Sequence, residues 1–184
     1  SRVDEHMAPI PGTERIVKCD SLILSVGLIP ENELAKSLGV PLSNATKGPE
    51  VDQSFMSRKE GIYSCGNAMH VNDLADYVSE SGEIAGKAAA TEAVADHRPV
   101  NVDVDKQLLY VVPEFVDFAK PTSDLVFYFR ARDAYKNKVL RVFCGDNEIF
   151  KRIYPTLRPP EMERIKLSFP AEGKIRFVLE EVKA

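Results

Sequence analysis

Six short apolar-rich runs between Leu108 and Val182, two of them alternating clearly, constrain the fold more than any other feature. Side chains on a strand point in turn to opposite faces of a sheet, so period-two patterning calls for a sheet with one buried face. The runs are Leu108–Val112, Leu125–Arg132, Val139–Cys144, Glu148–Tyr154, Met162–Phe169 and Lys174–Val182. Alternation is plainest in Val126-Phe127-Tyr128-Phe129-Arg130, and Gly145-Asp146-Asn147 supplies a hairpin turn. Strands at this spacing predict a small all-β, immunoglobulin-like antiparallel sandwich.

The residues before this region have different chemistry. Residues 1–98 hold three aromatic side chains, Phe55, Tyr63 and Tyr77, whereas 99–184 hold the other twelve. The first part carries 9 basic and 15 acidic residues, the second 15 and 13. A domain boundary is placed at His97-Arg98-Pro99, where proline follows an alanine-rich helical stretch. Residues 1–98 read as α/β. Ser21–Val26 is an apolar run suited to a strand buried on both faces. Glu31–Leu38 predicts a short helix closed by Gly39, and Thr46–Pro49 a turn. Gly61–Cys65 predicts a second strand, and Asp73–Val94 a long helix capped by Asn72 or Asp73.

Composition removes several function classes. The net charge of −4 argues against coating nucleic acid. No stretch approaches the ~20 uncharged apolar residues of a membrane span. No secretory signal is visible among the first residues. Cys19, Cys65 and Cys144 are odd in number and widely spaced, which fits a reducing, cytoplasmic setting better than a disulfide framework. Cys65 reads as a small buried residue.

Two segments carry the functional signal. The first is Cys19-Asp20-Ser21-Leu22-Ile23-Leu24-Ser25-Val26-Gly27-Leu28-Ile29-Pro30. The second is Gly61-Ile62-Tyr63-Ser64-Cys65-Gly66-Asn67, with the long helix after it. A strand ending in glycine lets the backbone approach a ligand closely. A helix N-terminus adds unpaired N–H groups and partial positive charge.

In this order the two segments resemble the closing part of the pyridine-nucleotide-disulfide reductase superfamily, the thioredoxin-reductase-like FAD/NAD(P) oxidoreductases. The longer strings Leu24–Leu34 and Asp73–Glu80, with Arg158-Pro159-Pro160-Glu161-Met162, resemble one subgroup that accompanies glycerol-3-phosphate-dehydrogenase-like proteins. The resemblance implies an α/β fragment of a two-dinucleotide-binding-domain flavoprotein, followed by the β-sandwich. It implies FAD and NAD(P) as cofactors, with hydride passing between nicotinamide and flavin and electrons going on to an acceptor or partner subunit. Gly66 and Asn67 would meet the flavin ribityl region, Leu74 and Ala75 would offer helix N–H groups, and Gly27 and Pro30 would shape the NAD(P)-side loop. Where the family has aspartate this chain has Asn67, an amide that both accepts and donates but carries no charge. No acid–base residue is named, because the cofactor carries such chemistry.

None of the ten glycines forms a G-x-G pair, so neither dinucleotide fingerprint is present and the chain reads as a C-terminal fragment of a longer protein. The competing reading is a non-catalytic module whose sandwich docks a partner dehydrogenase subunit. His70, Asn72, Asp73 and Asp76 form a polar cluster explained by helix capping, with no metal invoked. Gly82 and Gly86 predict a close-packing helix face. Arg130, Arg132, Arg141, Lys151, Arg152 and Arg158 read as a solvated strand face, or alternatively as a docking surface.

Overall fold

A computed structural model describes residues 1–24, 27–91 and 94–182. Its structure is mostly strands, with a few helices. Eight strands follow the boundary: β1 Pro99–Val104, β2 Leu108–Val112, β3 Phe115–Asp117, β4 Leu125–Ala131, β5 Tyr135–Cys144, β6 Asn147–Leu157, β7 Met162–Leu167 and β8 Ile175–Glu181. All six runs are strands. β1 and β3 were not expected. β1 shows its own alternation, with Val100, Val102 and Val104 leaning on the core between exposed polar residues. β3 is three residues long, too short for a pattern to register.

The strands form two sheets, β3-β1-β8-β5-β6 and β2-β4-β7. The sandwich is not wholly antiparallel, because β1 runs parallel to β8 with Val102 opposite Ile175. Between the sheets lies an aromatic core. Phe127 of β4 sits 5.5 Å from Phe177 of β8 and 5.9 Å from Phe169, measured between ring centroids.

Every residue of β4 is buried. Phe127, Phe129 and Ala131 face the inter-sheet core, while Val126, Tyr128 and the Arg130 position face the other way. That second face is covered by residues from before the boundary. Val51, Phe55, Met69 and Ala85 pack there with Tyr110, Val112, Val126, Tyr128 and Met162. The pattern of β4 therefore separates an inner core from an outer one.

The covering layer contains α1 Glu33–Ser37 and α2 Ala75–Thr91. α1 ends as the sequence demands. Gly39 takes a left-handed φ of +71°, its N–H reaches Lys36 O, and the Val40 N–H reaches Ala35 O. The 46–49 turn also forms, and Gly48 is required by crowding, since a Cβ there would lie 1.8 Å from Met69 O.

Other expectations fail in this layer. Ser21–Leu24 forms no strand and lies exposed (Ile23 is 90% accessible), while Ser25 and Val26 fall outside the described residues. No strand among the described residues lies beside it to supply hydrogen bonds. Gly61–Cys65 reduces to one isolated bridge, Tyr63 with Met56. Of the expected 73–94 helix, Ala75–Thr91 is helical, and Glu92 and Ala93 lie outside the described residues. Ideal Cβ atoms on Gly82 and Gly86 meet nothing within 4 Å, so no close-packing face exists there among the described residues. Cys65 is exposed rather than buried.

Candidate functional site

Four of the six sequence-chosen residues lie around one turn. Gly66 opens a 3-10 turn, Gly66–Ala68, with a left-handed φ of +59°. Its buried N–H donates to Ser81 Oγ of α2 at 2.8 Å, which pins the turn to the helix. Asn67 is exposed, and its Oδ1 accepts the Asn72 N–H at 3.0 Å. That bond folds the 67–72 loop back toward the start of α2, where Leu74 and Ala75 are exposed. The first N–H groups of α2 have no intrahelical partner. Asp76 in the first turn already meets part of that positive end.

The cap expected from Asn72 or Asp73 is absent. Asn72 Nδ2 donates to His70 O at 2.9 Å. Asp73 instead reaches across to the sandwich, where its Oδ2 accepts the Met162 N–H at 2.6 Å and its Oδ1 pairs with Arg130 Nη2. Arg130 consequently leaves the solvated face assigned to it. It is 8% accessible and donates to Tyr110 Oη at 2.7 Å, to Val71 O at 3.1 Å and to Pro160 O. The alternation of β4 hid this role, since an outward position normally meets water. A second tie is parallel: Arg164 pairs with Glu80 of α2, and Tyr128 Oη donates to Glu80 Oε2 at 2.7 Å. Arg164 holds the Glu80 carboxyl below the ordinary range.

The segment after Pro30 is clasped to the same turn. Asn32 Nδ2 donates to Ala68 O at 2.8 Å and to Lys47 O at 3.1 Å. The two motif segments, far apart in sequence, thus meet within two residues of Pro30 and one of Asn67. Gly27, at φ +109°, stands open. Pro30 lines a cleft of about 450 Å³ with Lys47, His70, Asp73, Tyr110 and Arg130. A wider groove of about 600 Å³ runs beside the turn, bounded by Ser64, Cys65, Ala68, Asn32 and Leu38.

His70 is the least expected residue. It is wholly buried, with its ring 5.1 Å from Tyr128 and 5.8 Å from Tyr110. Neither ring nitrogen has a hydrogen-bond partner among the described residues. Burial pushes its pKa down to about 4. Sequence pattern offered no signal for this, because a loop histidine ordinarily faces solvent.

Two further buried polar arrangements escaped sequence reading. Lys120 Nζ lies 2.7 Å from Asp52 Oδ2, both side chains fully enclosed, and burial raises the Asp52 pKa against the pull of Lys120. His97 Nδ1 meets Asp117 Oδ2 at 2.5 Å at the seam before β1. Among the described residues no three His, Cys, Asp or Glu side chains form a metal-binding group, and no helix is long and apolar enough to cross a membrane. Comparison with protein-family models, curated proteins and solved structures returned no match.

Proposed function

We propose that this chain is the C-terminal portion of an FAD-dependent, NAD(P)H-linked oxidoreductase, with the Gly66–Ala75 loop on the flavin side and the Gly27–Pro30 loop on the nicotinamide side. The observation that carries this reading is the Asn32 clasp, which holds the two motif segments together. The residues present fit one edge of a flavin. Asn67 is exposed with its amide N–H groups uncommitted among the described residues, and the start of a 17-residue helix lies open beside it. Bound flavin would supply hydride acceptance and electron transfer. Asn67 would hydrogen-bond the ribityl chain, and the α2 N-terminus would face negative charge on the pyrimidine edge. Gly66 would keep the backbone close, because a side chain there meets Val78 at 3.2 Å and φ is left-handed.

The finer fold reading belongs to the same proposal. β4 and β7 lie in one sheet and β5, β6 and β8 in the other, a division that supports an immunoglobulin-like sandwich. The docking-module reading also has an observation in its favour. Ile16, Val17, Leu22, Ile23, Leu24, Leu28 and Ile29 are all exposed, the kind of apolar surface that marks an interaction site. A cytoplasmic setting accords with both readings.

The test is flavin retention by the longer protein that carries this chain. Asn67→Ala removes one ligand hydrogen bond and is expected to weaken flavin affinity about three- to tenfold, with an unchanged melting temperature. Asn67→Asp restores the family residue and is expected to retain flavin. A colourless wild-type protein, or unchanged affinity in Asn67→Ala, contradicts the proposal.

A further inference from the structure

The cleft bounded by Pro30, Lys47, His70, Tyr110 and Arg130 has the size of a small-molecule site, about 450 Å³ against a usual range of roughly 300–1,000 Å³. It lies apart from the turn proposed for the flavin, since neither Asn67 nor Ala75 lines it, and it shares Leu28, Ile29 and Pro30 with the loop proposed for the nicotinamide side. Its walls combine apolar surface with a short set of polar groups. Leu28, Ile29, Leu109, Pro159 and Pro160 contribute branched or rigid apolar faces of the sort that accept a flat ring.

The polar groups are sorted by what they have left to give. Arg130 has nothing to spare: its N–H groups go to Tyr110, Val71, Asp73 and Pro160. Among the described residues Asp73 is the only acid lining the cleft, and it is occupied by Arg130 and the Met162 N–H. Four side-chain donors remain among the described residues, one of them the Thr46 hydroxyl, whose oxygen accepts the Gly48 N–H. Tyr110 accepts from Arg130 Nε, which leaves its own hydroxyl proton for another acceptor. The Lys47 ammonium is exposed and makes no ion pair among the described residues. His70 is buried and neutral, with one ring N–H and no acceptor for it. An unsatisfied buried polar group costs about 1–3 kcal/mol and is uncommon in native proteins. Both ring nitrogens are sealed from solvent, so a ligand oxygen reaches this imidazole only if the lining shifts.

A site with donors to spare, no free carboxylate and apolar walls selects an acceptor-bearing head on a flat body. We propose that this cleft binds a small aromatic anion, a planar ring system carrying one phosphate or carboxylate, with Lys47 and Tyr110 on the anionic head. His70 forms the cleft floor, and Arg130 with Asp73 forms a neutral, rigid flank that holds Tyr110 in place.

The test titrates 1-naphthyl phosphate into the purified chain and follows backbone amides and the His70 imidazole by NMR. Saturable shifts are expected at Lys47, Val71, Leu109 and Tyr110 and on the His70 ring. 1-Naphthol, which lacks the anion, and inorganic phosphate, which lacks the ring, are each expected to bind at least about tenfold more weakly, the loss of a charged hydrogen bond or of ring burial. Lys47→Gln, at an exposed position, is expected to weaken binding about three- to fivefold without moving the melting temperature. Tyr110→Phe is expected to weaken it about tenfold. Three outcomes overturn the proposal: no saturable shifts, equal binding of 1-naphthol, or affinity unchanged in both variants. Shifts confined to residues 16–24 also overturn it, since they would report an adventitious apolar contact only.

Discussion

The sheet residues 99–182 and the strap formed by residues 14–24 and 27–30 both carry branched apolar side chains, with opposite fates. In the sheets, Phe127, Phe129, Leu140, Ile175 and Phe177 lose essentially all contact with water. In the strap, Ile16 keeps 91% of its accessible surface and Ile29 keeps 82%. The difference lies in the availability of partners and not in hydrophobicity. Each sheet run finds an antiparallel or parallel neighbour in register within the chain. No backbone hydrogen bond joins residues 14–24 or 27–30 to the rest of the described chain. The total accessible surface, 11547 Å², exceeds the about 8,900 Å² that size scaling gives for a closed monomer of this mass.

The sharpest way to break this comparison is to empty the sheet core. Phe127→Ala is expected to cost about 3–5 kcal/mol in denaturant unfolding, whereas Ile23→Ser should stay within about 0.5 kcal/mol. Comparable losses at the two positions would mean that the strap is packed after all.

Arg130→Ala comes next. It leaves Tyr110 Oη, Val71 O and Pro160 O without their donor between the layers and is expected to cost about 1–3 kcal/mol. The same measurement on Arg132→Ala, an exposed neighbour bonded to Lys106 O, should show little change.

Acidification separates the outer core from the inner one. His70 is neutral in the fold with a pKa of about 4 and protonates near 6.5 when unfolded. The unfolded chain therefore binds the extra proton first, and stability falls as pH drops from about 6.5 to 4, by roughly 3 kcal/mol in all. His70→Phe should flatten that limb of the pH–stability curve. Glu114 acts in the opposite direction. Burial lifts its carboxyl to about 8, so the folded chain holds a proton that the unfolded chain has released, and stability declines as pH rises from about 4.5 to 8. Glu114→Gln should remove that alkaline decline.

The same contrast explains what could be read from residues alone. β2 and β4–β8 were legible because short apolar-rich runs, alternating clearly in β4 and β8, belong to the strand itself. The Gly39 helix stop and the 46–49 turn were legible for the same local reason. The Ser21–Val26 run carries an equally clear apolar signal, yet a buried strand also needs a sheet to receive it, and that information is not in the run. The burial of Arg130 and His70 was illegible because each is enclosed by partners about forty to sixty positions away in sequence. Around the candidate site, Gly66 and Asn67 were visible as a glycine turn before a helix. The Asn32 clasp and the donor set of the cleft came only from tertiary placement.

Hydrogen exchange across the whole chain tests the central contrast most directly. Amides of β4, β5 and β8 should open only with global unfolding, while those of residues 16–24 and 27–29 should exchange near the rate of an unstructured peptide. Protection of residues 21–24 to the level of β4 would contradict the account, because it would show that this run has already found a strand partner.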